Sequence, residues 1–159
     1  MQIKSSSNKK SVLLIIEIRN KKMENYRSFS PVNLAVEALG DKWSLLILRD
    51  MIFEGKRYFR ELLVSEEKIV SSTLASRLAT LEKDGLIMKQ ADPASKQKTR
   101  YSLTQKSVDL LPFIVESIAW SLRYEPVDTR RYQPAVEIAL DNDAYEQLRR
   151  QLIAGHLAG

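Results

Sequence analysis

Ser71, Ser72, Thr73, Ser76 and Arg77 stand close together in the chain, and each carries a short or planar hydrogen-bonding side chain. The hydroxyl residues are small enough to let a partner approach the backbone. Arg77 offers a planar fork of donors that matches a guanine edge or a phosphate. Lys96, Lys98 and Arg100 form a second cluster further along, and Arg60 precedes both. Together these residues suit non-covalent recognition of a polyanion rather than bond making.

Other chemistries find little support. The 159-residue chain has no cysteine, which excludes disulfides, cysteine nucleophiles, thiolate metal sites and thiol redox sensing. The single histidine, His156, has no metal-like neighbour and reads as a surface residue. Glu66 and Glu67, like Asp141 and Asp143, sit in loops or caps and do not resemble a catalytic pair. There is no glycine-rich phosphate loop. The sequence therefore names no cofactor, no metal site and no enzyme activity. No apolar run nears the roughly 18 residues of a membrane span. Val12 to Ile16 falls short of a signal-peptide core of about 7–15 residues. A cytoplasmic protein without a membrane partner is expected.

Charge is unevenly distributed. Residues 42–106 carry thirteen basic and eight acidic residues, whereas residues 107–159 carry five and eight. A basic middle suits a polyanionic partner, although a solvated charged face has the same composition.

These side chains need elements to hold them. Leu74, Leu78 and Leu81 fall at i, i+4 and i+7 and predict a helix with Ser71 as its N-cap and a stop at Asp84-Gly85. The hydroxyls and Arg77 then face away from the leucines. Pro31 opens a first helix with Val32, Ala35, Val36 and Leu39 as a buried stripe, ended by Gly40. Asp41 caps a second helix, about 42–53, whose apolar face includes Trp43, Leu46, Ile47 and Met51. Trp43 reads as core. Tyr58 to Leu63 is a short helix with Phe59 inward and Tyr58 open to either core packing or a ligand. Strands 86–91 and 99–103 form a hairpin joined by a long basic tip, 92–98. Thr104 caps a helix to about Tyr124, with Pro112 bending it. A linker, 125–134, leads to a last amphipathic helix, about 143–157. Residues 1–29 form a partly flexible N-terminal extension, of which 1–22 is dispensable. Residues 30–124 form the main domain, and 125–159 a C-terminal extension.

The expected fold is α+β: a winged helix-turn-helix, mostly helical, with a two- or three-stranded wing. The leucine stripe anchors a helix whose free face can enter a major groove about 12 Å wide. Arg77 pairs with guanine there or, alternatively, with Glu82 or Asp84. Arg60 lies where the preceding helix crosses the backbone.

The ordered set GDKW, ILRD, RYFREL, RLATLEKDGLI and RYSLT leading to Leu111-Pro112 resembles the HxlR-type winged helix-turn-helix regulators, relatives of the MarR group. The resemblance spans about 30–124. It implies a bacterial-type transcription regulator acting as a homodimer on a pseudo-palindromic operator in double-stranded DNA. It also implies a dimer interface on the first helix and the long helix after the wing, with Val36, Leu111, Val115, Ile118 and Leu122 as candidates for burial. Members often carry cysteine just before the first-helix proline; Ser30 stands there in this chain. An effector small molecule fits such a regulator, but no residue motif names one. The alternative function is a winged-helix protein-interaction adaptor without DNA binding. An adaptor has no need of the polar face at Ser72, Ser76 and Arg77 or of the basic wing.

Overall fold

The chain divides into two compact units, Met1–Gly40 and Asp41–Gly159, and the computed structural model describes residues 26–157. The expectations for residues 1–22 lie outside the described residues.

In the first unit, helix α1 spans Pro31–Leu39, with proline in the first turn where no amide partner is required. Arg27 Nε lies 2.9 Å from Glu37 Oε1. The backbone then passes so close to the last turn that a Cβ on Gly40 would stand 2.5 Å from the Val36 carbonyl oxygen. Glycine is needed there for space. The expected buried stripe does not form. Val32 and Val36 are 74% and 48% exposed, and Leu39 alone of the four is buried. No second described element of this unit covers that face.

The second unit comprises α2 (Ser44–Phe53), α3 (Phe59–Leu63), α4 (Ser71–Lys83), β1 (Ile87–Asp92), β2 (Ser95–Leu103), α5 (Gln105–Val108), α6 (Leu111–Tyr124), α7 (Gln133–Leu140) and α8 (Asn142–His156). Its core gathers Leu48 and Met51 of α2, Leu62 of α3, the Leu74–Leu78–Leu81 stripe of α4, Leu86, Ile87 and Leu103 of the hairpin, and Val108 and Leu111. Each such side chain contributes about 1.5–3 kcal/mol through burial. Trp43 is only half-buried, its ring beside the Lys42 ammonium at 5.4 Å.

Leu111 was a dimer candidate by sequence, but it is fully buried within the single chain. Its side chain belongs to the core of this unit and has no surface to offer a partner. The helix after the wing is also not continuous. It breaks at Asp109-Leu110, and Pro112 falls in the first turn of α6. A proline amide is not missed in that position, so Pro112 starts a helix instead of bending one. The same rule explains α7, which starts within the last two residues of the expected linker and carries Pro134 in its first turn.

The hairpin pairs Ile87 with Leu103 through Ala91 with Thr99, and then Asp92 with Ser95. Residues 96–98 are therefore extra on β2. The expected open tip is instead a tight Pro93-Ala94 turn with a bulge beside it. The cause is Asp92, whose Oδ1 accepts from the amides of Ala94 at 2.6 Å and Ser95 at 3.2 Å. A backbone bond ties the hairpin to the segment before α3: the Tyr101 amide donates to the Arg57 carbonyl at 2.8 Å.

Candidate nucleic-acid interface

α4 begins one residue earlier than its hydroxyls suggest. Val70 occupies the cap position, its carbonyl accepting from the Leu74 amide at 2.9 Å, and Ser71 is the first helical residue with no capping bond. Ser71 and Ser72 are thereby free and exposed in the first turn. Ser76 is exposed one turn on, Thr73 is half-buried, and Ala75 and Ala79 add only methyl groups. The outward face of α4 is thus a strip of small side chains over a helix N-terminus. Such a surface admits close approach of a phosphate or a base edge. Gly85, at φ +69°, ends the helix in the left-handed conformation and turns the chain into β1.

Arg77 pairs with neither Glu82 nor Asp84. Its Nη1 lies 3.7 Å from Asp41 Oδ2, and the side chain keeps 31% of its surface exposed. Asp41 already serves α2: it accepts from the amides of Trp43 at 2.9 Å and Ser44 at 3.0 Å and from the Ser44 hydroxyl. Partial burial opposes ionisation of Asp41, but the Ser44 hydroxyl, the two amides and Arg77 together hold its carboxyl below the usual range. The Arg77 contact is longer than a hydrogen bond and leaves the donors of its fork uncommitted.

The connector before α4 is fixed by charge. Asp50 of α2 is 2% exposed. It accepts from Arg49 Nη2 at 2.6 Å and from Lys56 Nζ at 2.9 Å. Arg49 also reaches Glu67 through two bonds, at 2.5 and 2.9 Å. These bonds hold the Glu67 carboxyl below its usual range and the Arg49 guanidinium above its own. Glu66 accepts from the Tyr132 hydroxyl and pairs with Arg131 at 3.0 Å. Sequence reasoning noted the Arg49-Asp50 pair only as part of a motif and Glu66-Glu67 only as a non-catalytic pair. Their partners lie 18 and 66 residues away.

On the wing, Lys96 and Lys98 are exposed, and neither they nor Arg60 of α3 has an ion-pair or hydrogen-bond partner among the described residues. Arg100 is half-buried. Tyr58 resolves toward structure: its hydroxyl donates to Asp92 and ties the start of α3 to the wing turn. That bond raises the Tyr58 phenol and, with the Ala94 amide, lowers the Asp92 carboxyl.

The root of the wing is held from a distance. Arg57 Nη2 donates to Ser102 Oγ at 3.0 Å and Nη1 to the Gly155 carbonyl at 2.9 Å. The Leu103 amide donates to His156 Nδ1 at 2.9 Å. His156 is therefore not the free surface residue expected. Burial, with Arg57 and Arg100 nearby, pushes its pKa down to about 4. Arg57 and His156 escaped sequence reasoning because the atoms they bind are mostly backbone, which leaves no side-chain pattern.

A two-helix turn with an exposed second helix, followed by an antiparallel hairpin, defines a winged helix-turn-helix transcription regulator. Residues 38–129 match the family model described as HxlR-like helix-turn-helix, and the chain belongs to that family. A regulator of Halalkalibacterium halodurans, the HTH-type protein BH0655, is 32% identical over 94 residues, which cover 59% of this chain and 83% of its own. The HTH-type transcriptional regulator YodB of Bacillus subtilis is 32% identical over 96 residues, covering 60% and 85%. The solved structure of reduced YodB gives a TM-score of 0.52 with 30% identity over 64% of this chain and all of YodB. The transcription-factor candidate PA1607 gives 0.58 with 31% identity over 64% and 70%. No helix among the described residues is long and apolar enough to cross a membrane.

Proposed function

We propose that this regulator is a cytoplasmic, sequence-specific DNA-binding protein that acts as a homodimer on a pseudo-palindromic operator. The observation that carries it is the exposed strip of Ser71, Ser72 and Ser76 on α4 together with the unpaired Arg60, Lys96 and Lys98. The small strip suits the major groove, and Arg77 stands beside it for a guanine. The cations suit phosphates, and Arg100 supports the wing. An adaptor has no use for cations left unpaired on a wing.

On α6 the apolar side chains left open are not those read in the sequence as candidates for the dimer. Val115, Ile118 and Leu122 are half-buried already, while Phe113, Trp120 and Tyr124 of α6 are 49%, 51% and 69% exposed. In the other unit, α1 and the residues before it expose Phe29, Val32 and Val36. Large apolar side chains left open on two helices suit a second copy of the chain. Selection of bound sequences from a random duplex pool tests the whole proposal. A two-fold-related half-site pair is the expected yield. Recovery of unenriched DNA would reject it.

A further inference from the structure

α2, α6 and α7 enclose a cleft of about 250 Å³ beside the connector that leads to α4. Leu45, Leu46, Phe53, Ile114, Ile118 and Val136 make most of its wall. Its polar members are all engaged elsewhere. Ser117 donates to the Ile114 carbonyl at 2.7 Å and Ser121 to the Ser117 carbonyl at 3.0 Å. Arg49 is taken up by Asp50 and Glu67, and Tyr132 by Glu66. The wall therefore holds no unpaired charge to meet an ion, only hydroxyl lone pairs able to accept one donor. Apolar cavities of about 150 Å³ take up benzene, so this one has room for a larger ring system.

The position of the cleft matters as much as its lining. Two of its wall residues, Arg49 and Tyr132, are the ones that fix Glu67 and Glu66 on the connector, four and five residues before α4. These two side chains therefore link the cleft to the residues just before α4.

We propose that this cleft binds an uncharged, planar, largely apolar molecule of one or two fused rings, and that occupancy resets α4 through Tyr132–Glu66 and Arg49–Glu67. Its consequence for operator affinity rests on the DNA-binding reading above; the binding site itself does not. Tyr132, Ala135 and Val136 lie beyond the stretch that matches the family, so this chain's C-terminal part supplies one wall of the cleft, while the walls from α2 and α6 lie within the matched stretch.

6-Fluoroindole, uncharged and bicyclic, is the probe. Titrated into the full-length protein and followed by fluorine NMR, it is expected to saturate below about 1 mM. Ala135→Trp and Ser117→Trp each fill the cleft and are expected to weaken binding at least about tenfold while melting stays cooperative. Hydrogen exchange across residues 64–72 is expected to change on probe binding. In Tyr132→Phe, which keeps the ring and loses the bond to Glu66, the probe should still bind and that exchange response should shrink. Affinity for duplex DNA should change at least about fivefold with probe in the wild-type protein. Absence of saturation, or binding unaltered in both folded tryptophan variants, overturns the site. So does probe affinity that falls as protein concentration rises, because a second copy then covers the cleft. Binding without any exchange response overturns the coupling. Failure to bind DNA with or without probe overturns the DNA-binding reading alone, since the titration and the exchange are read without DNA.

Discussion

Arg77 stands between two employers. Asp41 attracts it at 3.7 Å, yet that carboxylate already accepts from Trp43 and Ser44. Removing Arg77 should therefore cost stability only about 0–1 kcal/mol, as for other partly exposed pairs. A bidentate arginine–guanine contact discriminates by about 1–3 kcal/mol at one base pair. Arg77→Ala is expected to relax preference at a single operator position and to leave melting nearly unchanged. Binding curves against single-base operator variants, beside a melting curve, check this; undiminished discrimination at every position would assign Arg77 to Asp41 alone. Lys96→Ala and Lys98→Ala should act differently. Each unpaired lysine that meets a phosphate contributes about 0.9 to the slope of log affinity against log salt. The double variant is expected to flatten that slope and to weaken binding to all sequences alike.

At the scale of elements, α8 and the wing form one assembly through His156 and Leu103. The folded pKa of His156, about 4, lies below the ordinary 6.5. Folding thus favours the neutral ring. Its contribution is complete above about pH 6.5 and is lost as pH falls through 4, amounting to about 1–3 kcal/mol after allowance for partial exposure. His156→Gln keeps an acceptor and removes the titration, so its melting temperature should vary less than wild type between pH 6.5 and 4. Parallel pH-dependent melts decide the matter; identical profiles would show that the ring titrates freely. The legible elements were those with local rules. Leu74, Leu78 and Leu81 announced α4 by their spacing, and Gly85 announced its end. Two prolines misled in the same way: Pro112 read as a bend and Pro134 as linker, yet each stands in the first turn of a helix, because proline can mark either a break or a beginning. The hold on the wing root was illegible for another reason. Gly155 and His156 meet Arg57 and Leu103 across 98 and 53 residues, and no periodicity spans that distance.

For the whole molecule, the open aromatic face of α6 predicts association. A stable pairing buries about 800 Å² on each partner, and Trp120 stands within the exposed face with its ring 5.6 Å from that of Tyr124. Trp120→Glu is expected to shift sedimentation from dimer toward monomer at tens of micromolar, by order of magnitude for a standard-size interface. A monomeric wild-type protein at that concentration would dismiss the homodimer. Diamide is expected to leave DNA affinity unchanged, since the chain contains no cysteine. Reversible release of DNA by diamide and thiol reductant would contradict that expectation. The core and α4 were readable because they obey one period; the exposed side of α6 was not, because a helix with apolar residues on several sides does not say which side its own chain will cover.

The amide of Leu103 waits for an acceptor that is made 53 residues later, on His156. Chains grow at about 5–20 residues per second, so in the cell the nascent wing spends roughly 3–10 seconds with that end unfastened. During that interval α4 and the hairpin can pack, as their contacts are local, but the wing root lacks its closing bonds. Maturation of this molecule is therefore ordered in time: the part that faces outward is synthesised early and is locked last.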